Sequence, residues 1–149
     1  MNRTLSIMIV LTGFMAGCRG DGYPDEVVED LKNSCEELGA LNAECDCQVA
    51  KIRRMVPYEE YKQRKARGEG LPIEVEVEAA RCVDQHHYPS RIVDAFIVGC
   101  IKDGGSFDQC ACIIRRRQKI QPYADFVRDG LEGRPTPREV VEDGIVCIK

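Results

Sequence analysis

The chain has 149 residues, nine cysteines, no Trp, and 25 acidic against 21 basic side chains, a formal net charge of −4. That mild acidity excludes any general attraction to nucleic acid or to anionic lipid. The length allows one domain or two very small ones, and so many cysteines in so short a chain point to an oxidising compartment.

Residues 1–17 read as a signal peptide. Arg3 supplies the positive start, residues 5–14 (LSIMIVLTGF) a short apolar run, and the small residues Ala16 and Gly17 precede Cys18. The apolar run falls well short of the ~20 residues that span a bilayer as a helix. Met15-Ala16-Gly17-Cys18 resembles the lipobox of bacterial lipoproteins, with Met15 in place of the commoner Leu. The resemblance implies that Cys18 becomes the lipid-modified first residue of the mature protein, held by several acyl chains because a single chain anchors only marginally. It also implies an outer-membrane address facing the periplasm, because Arg19 stands where inner-membrane lipoproteins of enterobacteria carry Asp. The rival is a plain secretory signal that leaves Cys18 as an unpaired thiol, a liability in a secreted protein.

Residues 18–23 form a polar tether that spans at most ~20 Å. Beyond it the chain repeats itself. Cys35, Cys45 and Cys47 recur as Cys100, Cys110 and Cys112, 65 residues later, and in the same register Pro24 falls on Pro89, Gly39 on Gly104, Pro57-Tyr58 on Pro122-Tyr123, Pro72 on Pro137 and Cys82 on Cys147. There are 13 identities in 61 aligned positions, four of them cysteines, which reads as an internal duplication. The expected organisation is repeat one at 24–83, a polar connector at 84–88 and repeat two at 89–149.

Each repeat reads as four helices. The first starts at a proline, carries Leu31 or Phe96 on an apolar face and stops at Gly39 or Gly104-Gly105. The second carries Cys45/Cys47 or Cys110/Cys112, with Ser106 and Gln109 resembling a capping box, and ends before Pro57 or Pro122. The third follows those prolines. The fourth is ambiguous: residues 73–78 (IEVEVE) alternate strictly, as a strand would, but residues 137–148 (PREVVEDGIVCI) do not. Equivalent segments share a conformation, so both read as helices. The expected fold is all-α, two tandem small helical repeats each stapled by two disulfides.

Eight cysteines outside Cys18 suit four disulfides, the support that a ~60-residue unit needs. A Cys-x-Cys bridge would close a strained ring, and side chains two apart on a helix point about 200° apart. One of each pair therefore faces helix one and the other helix four. A hairpin register favours Cys35–Cys47 with Cys45–Cys82, and Cys100–Cys112 with Cys110–Cys147. Thiolate metal binding is the alternative, but zinc sites prefer Cys-x2–4-Cys pairs, so no metal and no cofactor is expected. The arrangement resembles small disulfide-stapled helical modules of secreted or lipid-anchored bacterial proteins, a resemblance that implies no activity.

Other candidates are weaker. His86-His87 with Asp84 reads as a solvated connector. Glu59-Glu60 are sequence neighbours that do not converge, as a hydrolase dyad would have to, and no Ser or Cys is left over as a plausible nucleophile. The basic clusters Lys51-Arg53-Arg54 and Arg115-Arg116-Arg117-Lys119 occupy equivalent positions on helix two. Arg115, Arg116 and Arg117 are candidates for gripping lipid phosphates or an acidic partner, against a solvated face with counter-ions on neighbouring helices. The reading is a membrane-anchored, non-enzymatic protein-binding lipoprotein of inhibitor, immunity or exclusion type, meeting an envelope or incoming protein. The alternatives are a structural subunit of an envelope assembly and a metal-binding protein.

Overall fold

A computed structural model describes residues 22–148; the signal peptide, Cys18 and most of the tether lie outside the described residues. Every regular element among them is helical: α1 (Asp25–Glu37), α2 (Asn42–Met55), α3 (Tyr58–Ala66), α4 (Ile73–Ala80), α5 (Ser90–Lys102), α6 (Phe107–Ile120), α7 (Tyr123–Glu132) and α8 (Arg138–Gly144), closed by a 3-10 turn at Ile145–Cys147. The all-α expectation holds, and four disulfides tie the helices together.

Proline starts most of these helices. Pro24, Pro57, Pro72, Pro89, Pro122 and Pro137 each sit one residue before a helix, not within its first turn, with φ between −51° and −62° and extended ψ. The carbonyls of Pro24 and Pro89 then accept the first helical N–H groups, from Val27 and Val28 and from Ile92 and Val93. The two longest helices stop for the complementary reason. Val56 (φ −122°, ψ 117°) and Gln121 (φ −108°, ψ 117°) are pushed into the β region by the proline that follows each. Ser106 and Gln109 form the expected capping box, with bonds of 3.0 and 3.3 Å. At the same place on α2, Leu41 has no side-chain acceptor and only the Glu44 half exists, Leu41 N donating to Glu44 Oε2 at 2.8 Å.

The strand-like alternation of α4 has a packing explanation. Val75 and Ala79 join a core with Ile52 and Val56, edged by Leu31, Tyr61 and Leu71. Val77 and Ala80 point the other way, into a second core with Val83, Tyr88, Ile114, Tyr123 and Ala124. Residues two apart on a helix lie on nearly opposite sides, so a helix buried on both sides alternates like a strand. Among the described residues, helix α8 has no such neighbour on its second side. Val140 and Gly144 are buried while Val141 and Ile145 are exposed.

The halves therefore share a core. The α4–α7 packing that crosses from one half to the other is the most extensive helix–helix contact. Residues 84–88 are part of it, more than a polar link. Gln85 Nε2 donates to the carbonyls of Ala80 and Val83, its Oε1 accepts from Ala124 N at 3.1 Å, and its carbonyl accepts from Tyr123 N at 2.9 Å.

Candidate functional site

The cysteines pair as Cys35–Cys45, Cys47–Cys82, Cys100–Cys110 and Cys112–Cys147, with Cα–Cα distances of 5.6–5.8 Å. The expected pairing of Cys35 with Cys47 and Cys45 with Cys82 is overturned, as is its counterpart in the second half. One member of each Cys-x-Cys does face the first helix and the other the fourth, but in the opposite assignment. The error lay in the midpoint of the hairpin. Helix α1 ends at Glu37, the backbone reverses at Gly39 (φ +87°), and α2 begins at Asn42. The turn is thus centred near Ala40, and the residue opposite Cys35 is Cys45, which is fully buried against α1. All eight described cysteines are bridged, which leaves no thiolate among them, and no group of three or more His, Cys, Asp or Glu in the described residues could hold a metal ion.

The arginine cluster does not act as one patch. Arg115 is exposed. Arg116 reaches across to Asp143 of α8, 2.5 Å away, as Lys51 reaches Glu78 of α4 at 3.1 Å. Arg117 turns inward. Its guanidinium lies 4.7 Å over the Phe126 ring and its Nε donates to Gln121 Oε1 at 2.7 Å. Gln121 is buried and passes the bond on, its Nε2 donating to Asp129 Oδ2 at 2.7 Å. Burial lowers the Arg117 pKa, with the nearby Tyr88 and Asp129 opposing that shift. Counter-ions on the fourth helix thus account for Lys51 and Arg116, and a buried network for Arg117.

His86 and His87 are exposed; the ring Nδ1 of His87 lies 3.1 Å from Asp84 Oδ2 and that of His86 2.8 Å from Gln118 O. Glu59 and Glu60 are exposed and pair with Lys62 and Arg64 one turn along α3.

One recurring structural feature escaped the sequence reading. Tyr23, just before Pro24, is buried against Tyr58 and Tyr61 and donates to Val56 O at 3.1 Å. Tyr88, just before Pro89, is buried against Tyr123 and Phe126 and donates to Gln121 O at 2.7 Å. Burial drives the Tyr88 phenol well above its ordinary range and pushes Tyr123 up to about 12. Extending the alignment one residue beyond Pro24 would have found the pair.

The two halves differ most at their surfaces. Among the described residues, four large apolar side chains are exposed before the connector (Leu38, Leu41, Met55 and Ile73) against nine after it, among them Val98, Ile101 and Phe107. The contrast is sharpest on the outer faces of α1 and α5, where Asn33 and Glu36 give way to Val98 and Ile101, 65 positions on. Helix α5 has no fully buried residue. Beside it, α6 and the chain end bound an open groove of about 600 Å³ lined by Phe96, Gly99, Asp103, Gly104, Gln109 and Ile148 among others. No helix among the described residues is long and apolar enough to cross a membrane. No protein-family model, no curated protein and no solved structure matches this chain.

Proposed function

We propose that this chain is a bacterial lipoprotein, anchored through Cys18 at the outer membrane and facing the periplasm, that works by binding another protein in the manner of an inhibitor, immunity or exclusion factor. The observation that carries the binding reading is the apolar surface of the second half. Nine exposed large hydrophobic side chains and an open groove sit on a scaffold held by four disulfides. Exposed apolar surface on a rigid support is what protein-binding faces present. The lipid anchor rests on the lipobox resemblance and on cysteine arithmetic, since the other eight cysteines are all paired. A tether of ~20 Å or less would keep the folded part close to the membrane.

Two experiments test this reading. Metabolic labelling with an alkyne fatty acid should label the wild type, and the label should disappear in Cys18→Ala. Affinity capture of the acylated protein from solubilised envelopes should recover a specific protein, and recovering none under any growth or competition condition would count against the binding role. Within that capture, an Arg115→Ala variant should retain the partner if the basic residues serve the fold alone.

A further inference from the structure

The first half shows what fits the place that the second half leaves open. Gly39 sits hard against the start of α5: a Cβ there would lie 2.1 Å from Ser90 Oγ and 3.0 Å from Ser90 N. Arg91 N donates to Leu38 O at 3.1 Å. The Glu44 carboxylate holds both sides, one oxygen accepting from Leu41 N and the other from Asp84 N, each at 2.8 Å. Val83, the residue before Asp84, is 3% exposed. The turn after α1, together with Glu44, is a socket, and the segment leading into α5 is its plug.

Sixty-five residues on, the same socket stands open. Asp103, Gly104, Gly105 and Gln109 occupy the positions of Leu38, Gly39, Ala40 and Glu44, and they line the groove between α5 and α6. Gly104 has the same left-handed backbone (φ +99°), yet a Cβ on it would meet nothing within 4 Å. Gln109 Oε1 accepts from Ser106 N at 3.0 Å, as Glu44 accepts from Leu41 N. Its Nε2 has no partner among the described residues. Ile148, at the position of Val83, is 62% exposed.

We propose that this groove is a docking socket for the N-terminal turn of a helix on a protein partner, entering as Ser90 and Arg91 enter the first socket. The inference rests on the protein-binding reading above and names the element it would recognise. A small residue fits against Gly104, as Ser90 does against Gly39. A cation follows it, since Asp103 is the one charged side chain among the described residues that line the groove. An apolar residue in the next turn covers Phe96 and Ile113. A second copy of this chain suits the socket poorly. Its own first helix carries Asp25 and Glu26 where α5 carries Ser90 and Arg91, which would set carboxylates beside Asp103.

The test uses the full chain in zwitterionic nanodiscs and a synthetic peptide copying residues 84–98, fitted with a photoreactive group. The expected result is saturable crosslinking confined to residues 96–109 and 148, falling about tenfold in Gly99→Phe and in Ile148→Glu. Both variants should keep the fold. A Cβ on Gly99 meets nothing within 4 Å, and Ile148 is mostly exposed. A competing peptide of residues 19–33 should not displace the first. Scattered crosslinks, or crosslinks unchanged in both variants, would overturn the proposal. Equal competition by residues 19–33 would also overturn it, assigning the groove to a second copy. If envelope capture still recovers a partner that ignores both substitutions, the socket fails while the binding role stands.

Discussion

Replacing Val77 by Glu tests whether the two halves are one folding unit. Val77 is 3% exposed and lies on the face of α4 that packs on α7, beside Ala80, Tyr123 and Ala124. Removing its side chain from that core forfeits about 1.5–3 kcal/mol of burial. Placing a carboxylate there adds a desolvation cost of roughly several kcal/mol, eased by whatever bending lets the charge reach water. A loss above about 4 kcal/mol is expected, large against a usual stability of about 5–15 kcal/mol. The destabilisation has a definite pH sense. A buried carboxyl has its folded pKa raised, so the loss grows as pH rises through the unfolded value and eases in acid. The control lies in the chain itself. Glu142 stands on exposed α8 at the matching position, and Glu142→Val should change stability by no more than about 0.5 kcal/mol. Urea unfolding with the disulfides intact, read by tyrosine near-UV signal alongside amide exchange in α7, makes the comparison. The variant should unfold in two steps, the first releasing the α4–α7 contact. A single transition within about 1 kcal/mol of wild type would refute the shared-core argument.

Four further outcomes are expected. Gly39→Ala should cost clearly more than Gly104→Ala, because both pay about 1–2 kcal/mol for an L side chain in the left-handed region but only the first collides with Ser90; equal melting temperatures would contradict the plug. Removing Cys47–Cys82 should cost about 1 kcal/mol more than removing Cys35–Cys45, since the closed loops differ as 35 to 10 residues. Non-reducing peptide mapping should join Cys35 to Cys45, and a Cys35–Cys47 peptide would undo the hairpin midpoint. Burial raises the pKa of half-buried Glu76, with the Leu71 backbone bond opposing it. Its charged form therefore weakens the fold progressively as pH rises above the ordinary carboxyl range. Glu76→Gln should raise the melting temperature at neutral pH and lose that advantage in acid, and a benefit independent of pH would exclude the desolvation account.

Much of the scaffold could be read from the sequence because local chemistry dictates it. Prolines at 24, 57, 72, 89, 122 and 137 mark six helix starts, since a fixed φ and a missing N–H allow few other roles. Gly39 and Gly104 mark the reversals, where only glycine takes a positive φ without strain. The Cys-x-Cys spacing alone required one bridge to each side of a helix. Comparing residues 73–78 with 138–143 recovered a helix that alternation had disguised.

Tertiary structure decided what spacing could not. Which cysteine met Cys35 depended on where the hairpin bent, a shift of one residue in the midpoint that no local preference fixes. Whether α4 was buried on one side or two depended on α7, more than forty positions away in the chain. The three consecutive arginines looked like one cationic patch, yet helical rotation sent Arg116 to Asp143 and Arg117 over the Phe126 ring, leaving Arg115 open. The candidate site was the least legible feature of all. Its residues are ordinary ones, and only the filled socket beside Gly39 gives the open groove beside Gly104 a meaning.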